Sequence, residues 1–527
     1  MAIARSWGAR LVSTRVRLVS VVLLTIGMCG AASAESCRND SVVGLFEGTA
    51  KAPTLDNVEV TLNLLCDKGE YAAQLFTSVG DFGAKSARSQ AGRVELAVDT
   101  GVSLGTFDLQ LTGERLEGSF LFGEEKGSVE LTRKGPPLAA DGMNARIDLS
   151  PQQWIEDLEA LKRELPRRHA NAFFYLPKAK FEAEIMRLQD EVAGLNGDQI
   201  FVRVAQIVNA IGDGHTTVVS PKDRRTLPIE LLSFGSDMRI VATGPGLEAA
   251  NGTKVVKIGD TDIARARELA LTLTPTDELN ELREGRIVYY LARGLVLHGL
   301  GITPSRDSAR FTVRNDAGKT VTLDIKALDP GAEAKLTPAY PKSGLRYQRE
   351  NETFWCKSVA AAKAVYCAFH SYQDLKAKAA AMFALIDSSR AQKLIIDMRD
   401  NGGGDNTEGH AHLVKPLTAH PDLNRKGHLF VLVGPLTFSA AMNNAAQFQD
   451  ETQAILVGQT IGEKPNSYQE PRQFRLPNSH LVVRASTLYY EFRKKGPNVI
   501  KPDKEIIPTW NDMKAGRDPA LDWAMAQ

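Results

Sequence analysis

Ser439 is the residue whose type and surroundings are best suited to chemistry. It follows an apolar run, Leu429 to Val433, and precedes a helix-compatible stretch from Ala440 to about Phe448. The first N–H groups of a helix lack intrahelical partners, so its N-terminus offers donors and positive potential. Acyl transfer needs a nucleophile and a cradle for an oxyanion, and a serine beside converging N–H groups has both. We therefore predict Ser439 as a nucleophile and the Ala440 N–H as an oxyanion donor.

A glycine turn elsewhere in the chain supplies further backbone donors. Residues 394–396 form a short, continuous apolar run, which is typical of a strand buried on both faces. The run leads into an asparagine and three glycines, residues 401–404, and we predict that the N–H of Gly402 or Gly403 joins that of Ala440. The turn lacks the G-K-[ST] of phosphate-binding loops. No G-x-S-x-G surrounds the serine, which disfavours an α/β-hydrolase.

These residues belong to a series of motifs that occurs in a fixed order. The series resembles that of the peptidase family that holds the tail-specific (C-terminal processing) and tricorn-type serine proteases, and it extends from about Leu149 to Thr509. The matching positions are Gly212-Asp213-Gly214-His215-Thr216, Asp397, Arg399, Asn401, Gly403, Gly404, Ser439-Ala440-Ala441, Val457-Gly458, Leu476-Pro477-Asn478-Ser479 and Pro502-Asp503. The resemblance implies a crotonase-like spiral catalytic core, a peptide or protein substrate, and neither a metal nor an organic cofactor.

The resemblance also implies a general base, for which two residues compete. His215, in the D-G-H-T motif, would take the Ser439 proton and return it to the leaving amine. Asp213 is better suited to shaping that turn than to orienting the ring. Lys464 lies 464 − 439 = 25 residues after the serine, about where a lysine base falls in other members of the family. The residues after Lys464 resemble the histidine-using branch, so we favour His215.

Two departures from the family pattern bear on activity. The tricorn pattern adds a glutamate shortly before P-D, where this chain has a lysine-rich stretch, and Glu491 is the nearest upstream acid. Met442 stands where the nucleophile motif often has glutamate. The resemblance includes retinoid- and fatty-acid-binding repeats, so the alternative function is a non-catalytic protein that binds a hydrophobic ligand or a peptide.

A possible metal site is the weaker interpretation of a second polar group. His410 and His412 lie near Asp405 and Glu408, but a mobile polar loop is favoured there, and we expect no metal.

Residues 1–34 have the pattern of a signal peptide. Four arginines precede an apolar stretch of 13 residues, Leu18 to Gly30, and Ala32-Ser33-Ala34 forms an A-x-A cleavage signal. The stretch is too short to cross a bilayer comfortably, although a membrane anchor is the alternative. We predict cleavage after Ala34 and export to the periplasm or the extracellular space, with no stable membrane span afterwards.

The cysteines are consistent with export. Four cysteines follow the predicted cleavage site, and an even number in an exported chain allows two disulfides. Proximity favours Cys37–Cys66 and Cys356–Cys367, and the second pair would join two strands of a hairpin. Reduced, buried cysteines are the alternative.

The charge of the chain argues against binding to nucleic acids, which usually leaves a basic footprint. The formal net charge is +1, and removal of the four N-terminal arginines would change it to 1 − 4 = −3. The oligomeric state does not follow from the sequence.

The patterning predicts a multidomain α/β protein. Alternating apolar residues and frequent glycines predict an antiparallel sandwich or small barrel at 35–135, which we interpret as an accessory domain. Helical spacing predicts a helical domain at 145–222 that carries the D-G-H-T motif, with a helix that starts at Ser150-Pro151 and stops at Pro166. A degenerate PDZ-like unit at 226–330 and a catalytic core at 340–515 complete the prediction.

Overall fold

A computed structural model of the protein describes residue 37 and residues 40–53, 55–100, 104–123, 125–494 and 496–527. The predicted signal peptide lies outside these residues. The chain forms two compact units, Met1–Met143 and Asn144–Gln527. Across the described residues, no helix combines the length and the apolar character that crossing a bilayer requires.

The first unit is a closed barrel of eight antiparallel strands, in which β1 also pairs with β8. The strands are β1 Gly44–Ala52, β2 Leu55–Asp67, β3 Glu70–Thr77, β4 Gly80–Gln90, β5 Arg93–Asp99, β6 Leu104–Thr112, β7 Arg115–Phe122 and β8 Glu125–Gly135. Alternate apolar side chains such as Val60, Leu62, Leu96 and Leu109 fill the interior, as the period of two requires. Of the two predicted β architectures, the barrel is therefore the one that forms.

The strands of the second unit form three sheets. They are β9 Thr217–Val218, β10 Ile229–Phe234, β11 Asp237–Thr243, β12 Lys254–Ile258, β13 Thr261–Asp262, β14 Ser308–Arg314, β15 Thr320–Lys326, β16 Thr337–Pro338, β17 Phe354–Val359, β18 Ala364–Phe369, β19 Lys393–Asp397, β20 Leu429–Val433, β21 Ile455–Gly458, β22 Asn466–Arg475, β23 Val482–Glu491 and β24 Lys504–Glu505. The helices are α1 Pro151–Arg168, α2 Lys178–Glu191, α3 Gly197–Asn209, α4 Ile263–Leu271, α5 Asn280–Tyr290, α6 Gly294–Gly299, α7 Leu375–Ser389, α8 Asn406–Gly409, α9 Lys415–Thr418, α10 Ala440–Glu451, α11 Trp510–Lys514 and α12 Pro519–Ala526.

The central sheet runs in the order β17-β18-β19-β20-β21-β24 and is parallel except for the β17–β18 hairpin. Leu394 and Ile396 pack with α7 and α10 on one face, whereas Ile395 packs with α12 on the other. Because both faces are covered, the strands are continuously apolar. The carboxyl ends of β19 and β20 meet at one edge, where the glycine turn and Ser439 follow them.

The helical layer, α1 to α3, packs on the sheet formed by β22, β23 and β9. Ser150 caps α1 as predicted, but the helix continues through Pro166 to Arg168, so the predicted stop is wrong. Pro166 has no N–H to donate to the carbonyl four residues before it, so the helix loses one backbone hydrogen bond there. The buried Trp154, Leu158 and Leu161 hold the rest of α1 in place.

The region between β10 and β15 is an antiparallel sheet packed on α4, α5 and α6. The loop predicted around His410 and His412 is instead helical, because α8 continues into a π-turn, His410–Val414, and then into α9. Asp405 caps α8, which accounts for one of the polar residues there.

Two cysteine pairs lie at disulfide geometry, one in each unit. Cys37 is bonded to Cys66, and Cys356 to Cys367. The second pair lies directly opposite across the β17–β18 hairpin. These are the pairings that proximity in the sequence favours.

Candidate active site

Ser439 occupies a strained turn between β20 and α10. Its φ of +55° and ψ of −127° lie in a region that non-glycine residues rarely adopt. Hydrogen bonds to the neighbouring glycine turn hold it there: Thr437 Oγ1 donates to Met398 O over 2.9 Å, and Phe438 N donates to Asn401 O over 3.0 Å. The turn thereby places the serine hydroxyl at the N-terminus of a buried helix.

His215 is presented by a turn that follows α3. The buried Asp213 holds this turn, since its Oδ1 accepts the backbone N–H of His215 over 3.1 Å and that of Thr216 over 2.8 Å. The Phe438 ring stacks on the imidazole at a centroid distance of 4.6 Å. Asp213 thus shapes the turn, while an aromatic ring fixes the plane of the imidazole.

The two turns bring His215 and Ser439 into contact. His215 Nε2 lies 3.0 Å from Ser439 Oγ, although the residues are 224 positions apart in the chain. This distance is that of a hydrogen bond. It is also the separation that a general base and its nucleophile require. His215 is 7% exposed, so the contact is largely shielded from water.

A third residue, Glu463, faces the other nitrogen of the imidazole. Glu463 Oε1 lies 3.4 Å from His215 Nδ1, and within the described residues neither atom has a hydrogen-bond partner. The second carboxyl oxygen, Oε2, accepts the backbone N–H of Ser439. Glu463 was not among the residues predicted for the site. The only signal was its position directly before Lys464, because no motif marks it.

Burial governs the ionisation of this group. It lowers the pKa of His215 to about 4, with the positive charges of Arg286 and Arg484 acting in the same direction and Asp213 opposing them. Burial, reinforced by the charge of Glu278, raises the pKa of Glu463 well above its ordinary value. A neutral imidazole is the form that can accept a proton from the serine.

Two further buried charges clamp the histidine turn from the side of α5. Glu278 Oε1 accepts the Gly214 N–H over 2.9 Å, and Arg286 donates to the Gly214 carbonyl over 3.1 Å. The other oxygen of Glu278 accepts the Lys464 N–H over 3.1 Å. Burial raises the pKa of Glu278 to about 7. Neither residue carries a sequence signal, because α5 belongs to the region that we predicted as a separate PDZ-like unit.

The competing base is paired with an aspartate, and the tentative acid is exposed. Lys464 Nζ forms an ion pair with Asp277 at 2.8 Å, and its side chain is 22% exposed. Glu491 is exposed at the end of β23, opposite Asn466. The carboxylate that faces His215 is Glu463 instead.

The predicted oxyanion donors lie beside the serine, with one difference. A Cβ on Gly403 would be 2.6 Å from Ser439 Cβ and 3.2 Å from Ala440 N, so this turn touches Ser439. The Gly403 N–H, however, donates to Asn401 Oδ1 over 3.0 Å. The Gly403 N–H is therefore already hydrogen-bonded. The N–H groups of Ala440 and Gly402 remain the predicted oxyanion donors.

Several residues of the motif series hold the fold rather than the site. Arg399 bridges Asp397 and Asp518, which ties β19 to α12. The backbone N–H groups of Asn478 and Ser479 donate to the buried Asp157 of α1. The motifs are therefore partly structural.

The two histidines of the alternative metal site, His410 and His412, each contact a different glutamate. His410 contacts Glu451 at 2.9 Å, and His412 contacts Glu408 at 3.3 Å. No group of three or more metal-ligating side chains is found among the described residues.

Comparisons with known proteins found similarity in structure but not in sequence. No protein-family model and no curated protein sequence matches the chain. A structure of mature CPAF complexed with lactacystin is 13% identical, with a TM-score of 0.49, and the match covers 69% of this chain and 95% of that one. The photosystem II D1 C-terminal processing protease is 15% identical, with a TM-score of 0.33 and coverages of 68% and 92%. A putative peptidase from Parabacteroides merdae ATCC 43184 is 17% identical, with a TM-score of 0.36 and coverages of 72% and 96%. The structural neighbours of this chain thus include members of the tail-specific protease family, the family that its motifs resemble.

Proposed function

We propose that this protein is an exported serine peptidase of the tail-specific and tricorn-type kind. Ser439 is the nucleophile, His215 the base, and Glu463 the acid that orients the base. The observation that carries the proposal is the 3.0 Å contact between His215 Nε2 and Ser439 Oγ. Contact between a serine at a helix N-terminus and a buried, neutral imidazole is what nucleophilic acyl transfer requires.

In the first step, Ser439 Oγ attacks the carbonyl carbon of a peptide bond, and its proton passes to His215 Nε2. The carbonyl oxygen becomes an oxyanion, which the Ala440 N–H stabilises. The carbon–nitrogen bond then breaks, and His215 returns the proton to the leaving amine. A water molecule, deprotonated by the same imidazole, hydrolyses the acyl-enzyme and regenerates the serine.

Glu463 supports the imidazolium that forms during these steps, because the positive charge on His215 favours the ionised form of Glu463 and so opposes the burial that raises its pKa. Its Oε1 faces the Nδ1 of His215, and both atoms are otherwise unpartnered within the described residues. An Nδ1–H donated to Oε1 selects the tautomer in which Nε2 is free to accept the serine proton. Glu463 therefore takes the role for which the sequence suggested Glu491.

The finer fold assignments are also part of the proposal. The central sheet with its covering helices is the crotonase-like core, at 340–515. The sheet and helices at 226–330 are a PDZ-like unit, which would bind a peptide terminus by strand addition. The two disulfides support export, because such bonds persist in oxidising compartments.

A non-catalytic binding protein is the less favoured function. Its support in the sequence was the missing glutamate before P-D. Glu463, from a different part of the sequence, faces His215. A carboxyl group beside the imidazole weakens the argument for a decayed site.

Covalent labelling tests the nucleophile directly. A fluorophosphonate loses fluoride to an activated serine and leaves a phosphonyl ester on its oxygen. We expect peptide mapping by mass spectrometry to find the label on Ser439, no label in Ser439→Ala, and labelling at least 100-fold slower in His215→Ala. Labelling spread over other serines, or at an equal rate in His215→Ala, would reject the proposal.

A further inference from the structure

His169 lies behind the histidine turn and has no part in the proton transfers described above. It follows the last residue of α1 as its C-cap, and its side chain is fully buried. His169 Nε2 lies 2.9 Å from Asp213 Oδ2. A second imidazole is therefore attached to the carboxylate that shapes the His215 turn.

The hydrogen bonds assign the position of the proton on the His169 ring. The backbone N–H of Asn171 donates to His169 Nδ1 over 2.9 Å, so Nδ1 is an acceptor. In a neutral imidazole the other nitrogen then carries the proton. His169 Nε2–H consequently donates to Asp213 Oδ2.

Within the described residues, Asp213 accepts hydrogen bonds from His169 and from three other residues. Besides His169, the donors are the backbone N–H groups of His215 and Thr216 and the Ser486 hydroxyl, the last over 2.6 Å. Burial acts to raise the pKa of Asp213, but the hydrogen bonds from His169, Ser486 and Thr216 hold it below its ordinary value. A buried carboxylate that loses one of its donors is left partly unsatisfied and tends to move.

We propose that His169 is a positioning residue of the site. It fixes the carboxylate of Asp213 and, through it, the backbone that sets the distance from His215 Nε2 to Ser439 Oγ. The inference rests on the proposed peptidase function and adds to it a residue that touches neither the substrate nor Ser439. It also gives the aspartate of the D-G-H-T motif a physical partner.

Two substitutions separate the two hydrogen bonds of His169. The Nε2 of glutamine reaches about as far as that of histidine, so His169→Gln keeps the donor to Asp213 and loses the acceptor for Asn171. Asparagine Oδ1 corresponds to histidine Nδ1, so His169→Asn keeps the acceptor and loses the donor. His298→Asn is the control for a histidine-to-asparagine change away from the His215 turn; His298 Nδ1 lies 2.7 Å from Asp198 Oδ2, a position where asparagine keeps a polar atom.

We expect His169→Asn to lower kcat for peptide hydrolysis by about 10- to 100-fold, as small misplacements of reacting groups do. His169→Gln should remain within about fivefold of the unmutated protein, His298→Asn should be unaffected, and KM should be unchanged in all three. Equal losses in His169→Asn and His169→Gln, or a fall matched by His298→Asn, would overturn the inference, since the contact to Asp213 would then not be what matters.

An NMR measurement on the unmutated protein is independent of hydrolysis. With ¹⁵N-labelled histidine, the His169 signal, assigned by its loss in His169→Gln, should show protonated Nε2 and unprotonated Nδ1 at neutral pH. A proton on Nδ1 would overturn this inference alone. An unmutated protein that hydrolyses no peptide and does not label at Ser439 would overturn the proposed function, and this inference with it.

Discussion

His215 Nδ1 and Glu463 Oε1 face each other over 3.4 Å inside the second unit, and each lacks any other hydrogen-bond partner within the described residues. Glu463 also accepts the Ser439 N–H, so one carboxyl group contacts both Ser439, the proposed nucleophile, and His215, the proposed base. A carboxylate in this position would hold the imidazole in its productive tautomer.

Glu463→Gln is therefore expected to reduce kcat by about 10³- to 10⁴-fold, because an amide in place of the carboxylate favours the wrong tautomer. The measurement is kcat for hydrolysis of a peptide pool, followed by mass spectrometry. Glu491→Gln is the matched control and should leave kcat within about twofold, since Glu491 is exposed at the end of β23. The assignment of the acid would be wrong if the two variants behaved in the reverse way.

Lys464 and His215 are distinguished by parallel alanine variants. Lys464→Ala should keep most of the hydrolytic activity, because its ammonium is paired with Asp277. His215→Ala and Ser439→Ala should each retain about a thousandth of the activity or less. Activity that disappears with Lys464 and survives without His215 would assign the protein to the serine–lysine branch.

Gly403 and Gly402 form a matched pair of neighbours. Gly403 has a φ of +107°, and a Cβ there would lie 2.6 Å from Ser439 Cβ, so Gly403→Ala must displace Ser439 or the turn. We expect kcat to fall by about 100-fold or more. Gly402→Ala should lower kcat far less, because it keeps its backbone N–H and, apart from its chain neighbours, no heavy atom of the described residues lies within 4 Å of its Cβ position. A common fall in both variants would point to general disruption of the turn.

Stability should depend on pH through His215. Its pKa is about 4 in the folded protein, against 6.5 for the unperturbed group, so the unfolded chain binds the proton first as the pH falls. The contribution of His215 to the free energy of unfolding is therefore lost as the pH falls from 6.5 to 4. A difference of 2.5 in pKa corresponds to about 3 kcal/mol. Glu278, whose pKa rises from 4.5 to about 7, acts in the opposite direction, because its folded form retains a proton that the unfolded chain releases.

His215→Asn removes the first contribution and leaves the second. Relative to the unmutated protein, its free energy of unfolding should improve by about 3 kcal/mol between pH 7 and pH 4. Urea unfolding at both pH values measures this difference. A difference that does not change with pH would mean that His215 titrates normally in the folded protein.

The elements and their local ends were predictable because short-range patterns decide them. Alternating apolar and polar residues predicted the barrel strands, and continuous apolar runs predicted β19 and β20. Ser150-Pro151 marked the start of α1. The errors at Pro166 and around His410 arose where packing outweighed local preference. A proline in the last turn and a polar helix are both tolerated when neighbouring residues are buried.

The candidate site likewise has a part that local patterns predict and a part that packing decides. Ser439 and His215 were identifiable because each stands in a motif whose neighbours shape its own turn. Their contact across 224 residues, the approach of Glu463 to the imidazole, and the clamp of Glu278 and Arg286 on Gly214 depend on how separate elements pack. A lone glutamate carries no local signal of its partner, because burial and the distance between charges, which set its pKa and its role, exist only once the chain has folded.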